Sequence, residues 1–135
     1  MALHSLLVVV TLSSVGCGVS RVMVSTAGLF DLTGQVALVT GASSGLGVRF
    51  AEVLAEAGAS VALVARRADR LAAVKDRIEK GGGRAVAIAA DVTDTASVAN
   101  AVMEVSGSFG RIDILHNNVG VTHMGGPVEL TDEQF

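Results

Sequence analysis

The chain has 135 residues, half of them apolar and 17% charged, with 16 glycines and one proline, the composition of one globular domain and not of a disordered or collagen-like chain. Its formal net charge is −3 and no basic block interrupts it, so a nucleic-acid or anionic-membrane partner has no electrostatic footing. A single cysteine, Cys17, excludes an intrachain disulfide, and the absence of any tyrosine excludes a phenol as catalytic acid.

Residues 1–30 read as an apolar extension outside the fold. The run Leu6 to Leu12 is apolar, and Arg21 is the one charged side chain before Asp31. A secretory signal wants a basic stretch ahead of that run, where only His4 and the amino terminus stand. A membrane anchor wants about 20 mostly apolar residues, which Ala2 to Val24 reaches only by carrying Arg21 and several serines. An exported or anchored form is thus the minor alternative to a cytoplasmic one, and Met23 stands where a second start would fall.

From residue 31 to 135 short aliphatic runs alternate with amphipathic segments, the pattern of βαβ units around a parallel sheet. Strands are predicted at Val36–Thr40, Val61–Ala65, Ala85–Ala89 and Ile112–His116, the first three apolar on successive residues and so buried on both faces. A first helix carries Leu46, Phe50, Val53, Leu54 and Ala57 on one stripe; a second carries Leu71, Val74 and Ile78. Gly81-Gly82-Gly83 ends the second, because glycine reaches the left-handed conformation that closes a helix. The third runs through Val98, Ala101, Val102, Val105 and Phe109, with Thr93 or Asp94 placed to cap its first amides. Thr131-Asp132-Glu133-Gln134 fits a capping box and announces a helix whose body does not follow, so the chain reads as the front part of something longer.

Between the first strand and first helix lies Thr40-Gly41-Ala42-Ser43-Ser44-Gly45-Leu46-Gly47. In that setting Gly41 serves a tight turn, Gly45 a close backbone approach to a pyrophosphate, and Gly47 close packing of helix on sheet. The opening of the helix, at Leu46, offers free N–H groups and about half a positive charge to a diphosphate, and Ser43 and Ser44 add hydroxyls. A Walker loop is excluded, since Val48 follows Gly47 where a lysine is required.

This glycine spacing resembles that of the short-chain dehydrogenase/reductase family, and so do three further stations: Phe30 to Val36, Asp91-Val92-Thr93-Asp94, and Asn117-Asn118-Val119-Gly120. The resemblance implies a Rossmann-type doubly wound parallel α/β sheet, here truncated to strand order 3-2-1-4, and a partial NAD(P)-binding domain over residues 31–135. It also implies that Asp91 and Val92 meet the adenine, that Asn118 holds the strand ends around the cofactor, and that Gly120 passes near the nicotinamide ribose. Val119 departs from the family's usual alanine by two methyl groups.

The end of the second strand decides between nucleotides. An NAD site wants a carboxylate there for the ribose hydroxyls. This sequence has Ala65 followed by Arg66 and Arg67, whose guanidinium groups suit a 2′-phosphate. NADP is therefore expected over NAD.

The family's catalytic Tyr and Lys, the Ser that polarises the carbonyl and the supporting Asn have no counterparts in this chain. Among the residues present, His116 and His123 have no third ligand at metal spacing, and His116 reads as a strand-end residue with satisfied hydrogen bonds. Ser43 and Ser44 lack a paired base. The chain is thus expected to be inactive alone, the cofactor-binding front of an enzyme acting on a small carbonyl or alcohol substrate and, by the family's habit, homo-oligomeric. A non-catalytic dinucleotide-binding or interaction module is the alternative. With the second face of the sheet under-covered, the isolated chain is expected to fold weakly or aggregate.

Overall fold

Valine, alanine, leucine and isoleucine in short uninterrupted runs form strands that are apolar on both sides, and such strands need a layer of helices above and below. The computed structural model describes residues 30–120 and supplies both layers. Its elements are β1 Val36–Thr40, α1 Gly45–Glu56, β2 Ser60–Ala65, α2 Ala68–Lys80, β3 Arg84–Ala89, α3 Thr95–Phe109 and β4 Ile114–His116. The sheet is parallel with order β3-β2-β1-β4, as expected. The N-terminal extension, His123 and the Thr131 capping box lie outside the described residues. Among the described residues no helix is long and apolar enough to cross a membrane.

Alternation along β1 divides the interior into two cores. Ala37 and Val39 join Val61, Leu63 and the α2 residues Leu71, Val74 and Ile78 on one face. Val36 and Leu38 join Ala62, Val64, Ile88 and the α3 residues Ala101 and Val105 on the other. Helices α1 and α2 thus share one face and α3 takes the opposite one, as right-handed crossovers from β1 outward in both directions require.

Capping follows the local sequence. The Asp94 carboxylate accepts the Ala96 and Ser97 amides at 3.3 and 3.0 Å and opens α3. At the end of α2 the Gly82 amide donates to Glu79 and the Gly83 amide to Ile78, both at 3.0 Å, a Schellman closure in which Gly82 takes the left-handed turn at φ +87°. The cap of α1 is built the same way, with Gly58 at φ +100° and its amide on the Ala55 carbonyl.

Three expectations are corrected. In α1 the stripe led by Leu46, Phe50 and Val53 faces outward; the helix sits on the sheet through Gly47 and Ala51, with Val48, Leu54 and Ala55 at the margin. Small residues win that face because the helix opens against the glycine loop, where a side chain has no room. Strand β3 is only partly covered, being the outer strand of its flank. Strand β4 begins at Ile114, not Ile112, because Asp113 is committed to β1: its carboxylate accepts the Val36 amide at 2.8 Å and its own amide donates to the Val36 carbonyl at 2.9 Å.

Candidate functional site

In a parallel sheet the loops at the carboxyl ends of the strands gather at one edge, and a crevice opens where successive connections leave in opposite directions. Here that point lies between β1, whose chain continues to β2, and β4, which β3 reaches by crossing to the far side. An open cleft of about 630 Å³ occupies it, within the usual size range of ligand sites. Gly41, Ser43, Ser44, Leu46, Arg66, Arg67, Asp91, Val92, Asn118 and Gly120 all line it, together with Ala65, Ala90, Thr93 and Val119.

The glycine loop is shaped by two different constraints. Gly41 and Gly45 adopt φ of +67° and +56°, left-handed conformations that a side chain resists. A Cβ on Gly45 would meet nothing within 4 Å; Gly45 and Gly47 flank the cleft-lining Leu46 without lining the cleft themselves. Gly47 is held by space: a Cβ there would lie 2.3 Å from the Gly41 carbonyl oxygen and 2.7 Å from Asn118 Nδ2. Its close packing is therefore with the loop and with Asn118. Ser44 is the N-cap of α1 but its side chain makes no capping hydrogen bond, and the first turn carries no acidic residue. The amides opening α1 thus remain available to an anion.

The serine hydroxyls are engaged from the side. Arg67 Nη2 donates to Ser43 Oγ at 3.1 Å and to Ser44 Oγ at 3.0 Å, tying the end of β2 to the glycine loop. Arg66 is exposed and lies near enough to Asp91 to help hold that carboxyl below the usual carboxylate range. The larger causes of that lowering are the Thr93 amide and hydroxyl, which donate to Asp91 Oδ1 at 3.0 and 2.8 Å. Asp91 is also fixed through its amide, which donates to Ser97 Oγ at 3.0 Å. It is first of all the residue that folds its own loop.

Two features escaped sequence reasoning. Thr40, buried at the end of β1, accepts the Asn118 amide at 3.0 Å and donates to the His116 carbonyl at 3.5 Å, so one hydroxyl joins the two loops. Its signal was a hydroxyl closing an otherwise aliphatic strand. His116 does not behave as expected: its ring packs edge-on to Phe50 with centroids 4.2 Å apart, and its buried Nε2 has no hydrogen-bond partner among the described residues. The outward face of α1 reaches over it instead of a polar group.

Left-handed glycines, uncapped amides and a cationic rim fit a dinucleotide in this cleft. A family model described as short chain dehydrogenase matches residues 35–135. The chain belongs to the short-chain dehydrogenase/reductase family. A short chain dehydrogenase of Pseudocercospora fijiensis is 40% identical over 103 residues, covering 76% of this chain and 32% of that protein. Among solved structures, a short-chain type dehydrogenase/reductase from Mycobacterium marinum superposes with a TM-score of 0.74 at 41% identity, covering 82% of this chain and 43% of the other. A metagenomic short-chain oxidoreductase solved in complex with NADP gives a TM-score of 0.69 at 40% identity, over 76% and 47% of the two chains. The chain therefore spans about a third of the curated relative and less than half of the solved ones. The parallel sheet and the glycine loop are the part of the family's architecture it shares.

Proposed function

We propose that this chain is the NADP-binding part of a short-chain dehydrogenase/reductase that interconverts a carbonyl compound and an alcohol, with residues 31–135 as a partial dinucleotide-binding domain. The observation that carries the reading is the Ala65-Arg66-Arg67 end of β2 at the rim of the cleft, where a carboxylate would mark an NAD site. A relative of known structure, 40% identical, binds NADP, which supports the same choice.

When bound, NADP supplies hydride transfer; the residues of this chain bind and orient it. The amides at the start of α1 receive the diphosphate. The arginines at the end of β2 give the rim a positive charge that suits a 2′-phosphate. Asp91 and Val92 border the adenine end of the cleft, and Asn118 and Gly120 the nicotinamide end, with Thr40 holding the Asn118 loop in register with the glycine loop. No residue of the chain is assigned to proton transfer.

One charge-assisted hydrogen bond to the 2′-phosphate is worth about 1.5–3 kcal/mol, or roughly 10- to 200-fold in affinity. Titration of the full-length protein should accordingly show NADPH binding at least about tenfold more tightly than NADH. Equal affinities would remove the NADP assignment, and no uptake of either nucleotide would remove the dinucleotide reading altogether.

A further inference from the structure

Resting on that reading, we infer that Arg67 is a positioning residue: it braces the glycine loop through Ser43 and Ser44 and so serves either nucleotide, a task separate from contact with the 2′-phosphate. Arg67 stands just before α2 as its N-cap, in an extended conformation at φ −94° and ψ +94°. Its guanidinium turns to the glycine loop, where one nitrogen, Nη2, donates to both serine oxygens. Arg66 is exposed, lines the same cleft, and its charge is felt at Asp91.

The brace has a chemical consequence for the loop. A hydroxyl that accepts from a guanidinium directs a lone pair at it, so its own proton points elsewhere. Ser43 is buried and Ser44 exposed, so Arg67 fixes the rotor of one hydroxyl inside the loop and of the other at its lip. It also links two segments 24 residues apart, at the turn where Gly41 and Gly45 already hold unusual conformations. Both nucleotides place the same diphosphate against this loop, so a brace acts on both alike. A contact with the 2′-phosphate acts on one.

The test compares five variants of the full-length protein by equilibrium titration with NADPH and NADH, and by hydrogen exchange of amides 43–47 without nucleotide. Arg67→Ala should weaken both nucleotides by a similar factor, of the order of tenfold, and speed exchange of those amides. Ser43→Ala/Ser44→Ala should reproduce the faster exchange, and adding Arg67→Ala to it should change little further. Arg66→Ala should weaken NADPH by about tenfold or more and NADH by clearly less, without speeding exchange of amides 43–47. Arg67→Lys keeps the charge without the planar fork, so it should not restore slow exchange. An Arg67→Ala loss confined to NADPH, or unchanged exchange in that variant, would overturn the division of tasks. Wild-type protein that takes up neither nucleotide would instead overturn the proposed function, while the exchange data would still judge the brace.

Discussion

The two flanks of β1 are built to different standards. On one side β2 is buried along almost its whole length and pairs with β3 over six residues, from Ser60 with Arg84 to Ala65 with Ala89. On the other, β4 pairs with β1 over three residues, and its central Leu115 is 59% exposed. The outward stripe of α1 lies on this second side, with Phe50 over His116. The β2 flank has helices on both faces and closes its own core. The β4 flank presents apolar surface to whatever lies beyond it, and it is also where Asn118 and Gly120 enter the cleft. Burial is thus concentrated on one side of β1, whereas the cleft is lined from both, by Arg66, Arg67, Asp91 and Val92 on the β2 flank and by Asn118 and Gly120 on the other.

A matched pair of truncations measures that contrast most directly. Leu63→Ala on β2, a fully buried side chain, should cost about 2–5 kcal/mol. Leu115→Ala on β4 should stay within about 0.5 kcal/mol in the 135-residue chain. Chemical denaturation of the two variants against the parent decides it, and similar losses would erase the difference between the flanks. Gly47→Ala comes next, where the two flanks meet. Its Cβ would press on the Gly41 carbonyl and on Asn118, so a loss of about 1–3 kcal/mol is expected together with impaired nucleotide binding. Full stability and full binding in that variant would mean the loop and Asn118 separate without cost.

Acid should reach the β4 flank gently and selectively. The Val36 amide, and then Arg111, hold the Asp113 carboxyl below its ordinary value of 3.8. A carboxyl lowered in the folded state stabilises it above the ordinary value, and that contribution is lost as pH falls through the folded value. The Val36 and Ile114 amide signals should therefore shift below about pH 3.8, and Asp113→Asn should abolish that response. Shifts that persist in the variant would place the titrating group elsewhere.

Much of this architecture is legible in the chain. Aliphatic runs locate β1, β2 and β3 to within a residue, and the stripe of α2 is the one observed, because Leu71, Val74 and Ile78 are its only large apolar residues. Helix α1 misleads for the converse reason. It has two apolar faces, and periodicity favours the bulky one, whereas the sheet and the glycine loop accept only glycine and alanine at their closest approach. The cleft was readable because its residues cluster at four chain stations. The Arg67 brace, the Thr40 link and the Asp113 tie join residues 23 to 78 positions apart through polar atoms, and no local pattern reports them.

The division of β1 between two cores makes this strand sensitive to length more than to composition. Inserting or deleting one residue between Gln35 and Thr40 would exchange every occupant of one chamber with those of the other. Val36 and Leu38 would be driven toward α2, Ala37 and Val39 toward α3, and the strand would meet the glycine loop with its terminal hydroxyl on the wrong side. Conservative exchanges among aliphatic residues leave that parity intact, so variants of this protein should differ at these five positions in side-chain size far sooner than in number of residues.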